Sequence, residues 1–120
     1  VDKTASGLGH LRIVLSDKAY IGPGRADLLE GIAATGSISA AGKAMGMSYK
    51  RAWSLVQALN EGFGRPLVET ARGGAGQGGA QLTGLGHEVL ARYRAMQVAT
   101  ETAIAADVAA LRAAISDISE

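Results

Sequence analysis

The stretch Ser37-Ile38-Ser39-Ala40-Ala41-Gly42-Lys43-Ala44-Met45-Gly46-Met47-Ser48-Tyr49-Lys50-Arg51-Ala52-Trp53 decides how this sequence reads. Ser37 is an N-cap residue type, able to accept a hydrogen bond from a free amide of a first helical turn. Ile38, Ala41 and Met45 follow at i, i+3 and i+7, one apolar face of a short helix. Gly46 interrupts it. Ser48 then caps a longer helix to about Gly62, with Ala52, Leu55, Val56, Leu59 and Phe63 as its apolar stripe. Two helices joined so tightly cross at close range, and only small side chains fit that contact. The alanines and glycine of 40–44 supply them, so the spacing predicts a helix-turn-helix.

At ~100° per residue, the second helix places Lys50, Ser54 and Gln57 opposite its apolar stripe. Arg51 falls on one flank, and Tyr49 and Trp53 lie together on the other. Hydroxyl, amide, lysine and arginine on one face suit a DNA major groove, which offers phosphates to cations and base edges to donors and acceptors. A solvated face of a small helical bundle carries the same residue types. Residue types alone leave both readings open.

Working outward, Leu11-Arg12-Ile13-Val14-Leu15 reads as a short strand, and Ile21-Gly22-Pro23-Gly24 as a break. Leu28, Leu29 and Ile32 recur at helical spacing until Gly36 stops the helix. On the other side, Leu67–Thr70 and Ala80–Leu82 read as two strands. They flank Gly73-Gly74-Ala75-Gly76-Gln77-Gly78-Gly79, a hairpin tip too long for a two-residue turn. Gly74, Gly76 and Gly79 match the spacing of a dinucleotide fingerprint, but no helix opens at the last glycine and no βαβ unit surrounds it. Instead, glycine lets the backbone at Gly76 and Gln77 approach a phosphate or a narrow groove, with Arg72 supplying charge at the base.

Thr83 caps a final helix running almost to the end of the sequence. Ile104, Val108, Leu111, Ile115 and Ile118 form an a/d seam on it. The seam stops upstream at Glu101, Gln97 and Arg94, where Val89, Tyr93 and Met96 form a different stripe. The first half is therefore expected to pack on the domain, and the second on a second copy of the chain. Packing of the seam on the chain's own domain is the alternative.

The 120 residues have room for one domain and an added element. Apolar residues make up 48%, enough for a core, and the 4% of aromatics means that aliphatic residues build it. The absence of cysteine excludes disulfides, thiolate metal sites and cysteine nucleophiles; His10 and His87 have no metal-ligand spacing. No acid pair lies near a nucleophile, so an enzyme is not expected. The opening residues do not read as a signal peptide, and no apolar run approaches ~18 residues; a cytoplasmic protein without a membrane span is expected. Charge is unevenly spread. Lys43, Lys50, Arg51, Arg65 and Arg72 against Glu61 and Glu69 make 37–82 basic, whereas Glu101, Asp107, Asp117 and Glu120 against Arg112 make 101–120 acidic. This is the asymmetry expected when one segment meets a polyanion and another does not; ordinary surface charge is the alternative.

Several of these stretches together resemble the amino-terminal domain of the molybdate-responsive transcriptional regulators, the ModE family. The resemblance rests on Gly36–Ala41, Met45–Trp53, the preceding Ile21-Gly22-Pro23-Gly24, Pro66–Glu69 and the glycine-rich 78–83, and spans about residues 10–97. LysR-type helix-turn-helix domains are more distantly similar. The resemblance implies a mostly α fold with a small β component: a winged helix-turn-helix over 1–83, then a long dimerisation helix over 84–120. It implies a homodimer on double-stranded operator DNA, with recognition helix 48–61 and wing 67–83. Ser48, Tyr49, Lys50 and Arg51 fall on the motif that enters the major groove; the helix wheel adds Ser54 and Gln57, and the wing Arg72, Gly76 and Gln77. Trp53 is expected to wedge the recognition helix against the domain. Family members that sense molybdate hold it in carboxy-terminal β-barrel domains, and these 120 residues contain no such sequence. No cofactor and no bound molybdate are therefore expected on this chain. A winged-helix module that binds protein rather than specific DNA is the alternative.

Overall fold

The computed structural model describes residues 6–71 and 79–115. It is a helix-turn-helix with two small antiparallel sheets and a long final helix, mostly α with little β, as the sequence implies. The expected first strand shrinks to β1, Ile13–Val14, and it pairs with a strand that the sequence reading missed, β2, Tyr20–Ile21. The turn between them closes on Ala19, whose carbonyl accepts from the Leu15 amide at 2.8 Å, while the Ser16 hydroxyl accepts from the Ala19 amide at 3.1 Å. Two residues are too few to show a period of two in sequence.

Helix α1, Pro23–Thr35, begins on proline and ends at Gly36, whose φ of 70° is left-handed. Its buried face of Ala26, Leu28, Leu29 and Ile32 anchors the core. Helix α2, Ile38–Ala44, is capped by the Ser37 hydroxyl, which accepts from the Ala40 amide at 2.9 Å. The turn to α3 needs Gly46 at φ 74°, and the Gly42 carbonyl accepts from both the Met45 and Met47 amides at 3.0 Å. A Cβ on Gly42 would stand 2.7 Å from the Ala52 Cβ, so the helices cross where only small residues fit.

Helix α3, Tyr49–Phe63, is capped by Ser48, whose hydroxyl accepts from the Arg51 amide at 3.1 Å. Ala52, Val56 and Leu59 are buried, each large side chain contributing ~1.5–3 kcal/mol. Strands β3, Val68–Ala71, and β4, Gly79–Leu82, pair antiparallel with Val68 opposite Leu82 and Ala71 opposite Gly79. Asn60 on α3 fixes this hairpin: its side-chain oxygen accepts from the Leu67 amide at 2.8 Å, and its amide donates to the Val68 carbonyl at 3.2 Å. The Ala80 amide donates to the Gly36 carbonyl at 2.9 Å, tying β4 to the end of α1.

Helix α4, Gly84–Ala114, is capped by Thr83, whose hydroxyl accepts from the Gly86 amide at 3.0 Å and donates to the Pro66 carbonyl at 2.8 Å. Its 31 residues extend ~46 Å. Tyr93, in the first half, is fully buried and completes the core. Arg94 crosses to α1, donating to Asp27 at 2.8 Å and Glu30 at 2.7 Å. No helix of the described residues is long and apolar enough to cross a membrane.

Candidate nucleic-acid interface

Because Ala52, Val56 and Leu59 hold one side of α3 in the core, the remaining residues of that helix are displayed by necessity. Ser48, Tyr49, Lys50, Arg51 and Ser54 are all exposed, and Gln57 is half-buried. The wheel's two sides are thus the real inner and outer sides of α3. Among the described residues neither Lys50 nor Arg51 joins an ion pair; the pairs present belong to Arg92 and Arg94. The Ser48 oxygen is engaged as a cap, so its hydroxyl proton is what it has left to donate. Arg72, Gly76 and Gln77 lie outside the described residues.

Trp53, expected to wedge the recognition helix against the domain, lies outside the buried core. The indole is 36% exposed, because the contact between α2 and α3 is already filled by Gly42 against Ala52. It lines a cleft of about 250 Å³ between α3, the start of α2 and the β3–β4 hairpin. Tyr49, one turn earlier and 56% exposed, lines the same cleft. The sequence signal was the i, i+4 placement of the two aromatics on one flank; nothing in it showed that the hairpin stands beside that flank.

On α4 the seam divides. Ile104 and Val108 are half-buried, whereas Leu111 and Ile115 are 69% and 71% exposed. The chain's own residues supply some of the cover: Gly7 lies so close that a Cβ on it would sit 2.7 Å from Val108 Cγ1. At Val108 the alternative, packing on the chain's own residues, therefore holds in part. Ile115 caps the helix with ψ 127°, so its backbone has left the helical course and Leu111 is the last seam residue inside it. Ile118 lies outside the described residues. Among the described residues no three His, Cys, Asp or Glu side chains cluster to hold a metal ion.

Comparison with known proteins agrees with this geometry. The bacterial regulatory helix-turn-helix proteins of the LysR family match residues 25–87, from α1 to the first turn of α4. The chain belongs to that family. It is 47% identical over 79 residues to the molybdenum-pterin-binding protein MopB of Rhodobacter capsulatus, covering 66% of this chain and 29% of that protein. To the DNA-binding transcriptional dual regulator ModE of Escherichia coli K12 it is 42% identical over 83 residues, 69% of this chain and 32% of the relative. The molybdenum transport protein ModE of Azotobacter vinelandii is 40% identical over 80 residues, 67% and 30% respectively. The chain thus spans about a third of the length of these relatives.

Proposed function

We propose that this chain is the DNA-binding part of a transcriptional regulator, with no catalytic role, that reads a pseudo-palindromic operator as a homodimer. The observation that carries this reading is the outer side of α3. Lys50, Arg51 and Ser54 are exposed there on a helix whose other side is locked into the core, and neither cation has a carboxylate partner among the described residues.

Helix α3 enters the major groove. Lys50 and Arg51, in its first turn, take up phosphates or guanine edges, while Ser54 and Gln57 offer donors and acceptors to bases further along. Tyr49 and Ser48 lie at the groove's margin. Arg72, Gly76 and Gln77 extend the contact from the hairpin. Pairing through the helical part of the seam, Ile104, Val108 and Leu111, sets two recognition helices about one turn (~34 Å) apart. The 120 residues by themselves bind no molybdate.

Binding-site selection on random duplexes, followed by anisotropy titration over a range of salt concentration, tests the reading. One enriched half-site in inverted repeat is expected, with the logarithm of affinity falling linearly in log salt. A chain that captures no duplex above background at low salt contradicts it.

A further inference from the structure

The cleft beside Trp53 contains both apolar and hydroxyl groups. Trp53, Tyr49, Ile38 and Ala80 give it apolar surface; Ser37, Ser39, Thr70 and the Tyr49 phenol give it hydroxyls; among the described residues no charged one lines it. Its position is as telling as its lining. It separates α3 from the hairpin, the two elements placed against DNA in the reading above, on which this inference rests. A duplex has one sugar–phosphate strand between its major groove and the adjacent minor groove. A helix in the first and a hairpin at the second must straddle that strand, so the cleft between them has to receive it.

We propose that the cleft holds the DNA backbone, with the Trp53 indole packed on a deoxyribose and the hydroxyls of Ser39 and Thr70 donating to the phosphates beside it. The chemistry fits. Deoxyribose is an apolar, C–H-lined ring that excludes water when covered by an indole, and neutral hydroxyls are common phosphate contacts. The indole N–H adds one donor and no acceptor. Tyr49, four residues before Trp53 and so on the same side of the helix, lines the cleft with it. This role fixes how α3 sits in the groove without reading a base. It accounts for a large aromatic residue left 36% exposed between two elements of the fold.

Trp53 is the one tryptophan of the chain, so its emission reports this position alone. In titrations of the wild-type protein with the selected duplex, the emission is expected to change with the same midpoint as the anisotropy. Trp53→Ala is expected to weaken binding about tenfold, equal to about 1.4 kcal/mol, with the salt slope unchanged because no cation is lost. Trp53→Phe should recover most of the affinity. Replacing every thymine of the duplex by uracil should leave the Trp53 contribution intact; its disappearance would put the indole on a base methyl and overturn the backbone assignment. Tight binding with silent emission and a Trp53→Ala variant of wild-type affinity would overturn it too, leaving the DNA-binding reading in place. Failure to bind any duplex would overturn both.

Discussion

The Tyr93 hydroxyl donates to the Leu11 carbonyl at 2.6 Å, joining two residues 82 positions apart and locking the chain's first described segment to α4. Burial pushes the phenol's pKa up; Arg94 opposes the shift and Asp27 adds to it. The folded state thus favours the neutral phenol. Its contribution is fully present below the ordinary tyrosine value near 10 and is lost as pH rises through the higher folded value. Tyr93→Phe is expected to cost about 1 kcal/mol at neutral pH and to flatten the alkaline fall in stability. Urea unfolding at neutral and alkaline pH measures both.

Gly86 sits where a Cβ would collide with the Leu67 carbonyl oxygen, a backbone atom that cannot step aside alone. Gly86→Ala should separate α4 from β3 and cost about 2 kcal/mol or more. Gly84, two residues earlier, has nothing within 4 Å of the same position, so Gly84→Ala should be close to neutral. Thermal unfolding of the pair separates a packing requirement from a general effect of removing glycine.

Arg94 bridges Asp27 and Glu30 at the surface and is hydrogen-bonded to Gln97 at 2.9 Å. Burial disfavours its charge, but the two carboxylates outweigh this and raise its pKa. Both carboxylates are more than half exposed, so the pairing is screened. Arg94→Ala is expected to cost no more than about 1 kcal/mol, with the difference shrinking in high salt. A cost of several kcal/mol that is insensitive to salt would mean that the side chain's packing matters more than its charge.

Val108 and Leu111 test assembly. Asp at both positions should shift the protein to monomer and weaken operator binding while the winged domain stays folded. Analytical ultracentrifugation with circular dichroism checks this. A wild-type chain that sediments as a monomer at micromolar concentration rules out the seam as a dimer contact. Because Gly7 already lies against Val108, Leu111→Asp alone isolates the part of the seam that the chain leaves uncovered.

The helix-turn-helix was legible because its determinants are local. The caps Ser37 and Ser48, the left-handed Gly36 and Gly46, and the small residues of α2 each act within a few positions. The ends of the first three helices fell within a residue or two of the structure, whereas the last, expected over 84–120, stops at Ala114. Long-range determinants were hidden. Nothing in the neighbourhood of Asn60 announces that its side chain holds the hairpin backbone. A helix wheel gives the direction of Trp53 but not the hairpin that stands beside it. The cover on Val108 comes from Gly7, which has no side chain to signal packing. In the interface, the exposure of Lys50, Arg51 and Ser54 could be read from the apolar stripe behind them.

In the proposed function, Lys50 and Arg51 are held out for DNA. The most direct measurement is the salt dependence of operator affinity for wild type and the Lys50→Ala/Arg51→Ala double variant, with folding checked by circular dichroism. If both contact phosphates, the variant should bind more weakly on every sequence, and its log–log salt slope should be shallower by roughly two. If either reads a base, about 1–3 kcal/mol of discrimination should vanish at one operator position. A folded double variant with wild-type affinity and salt slope would contradict the account.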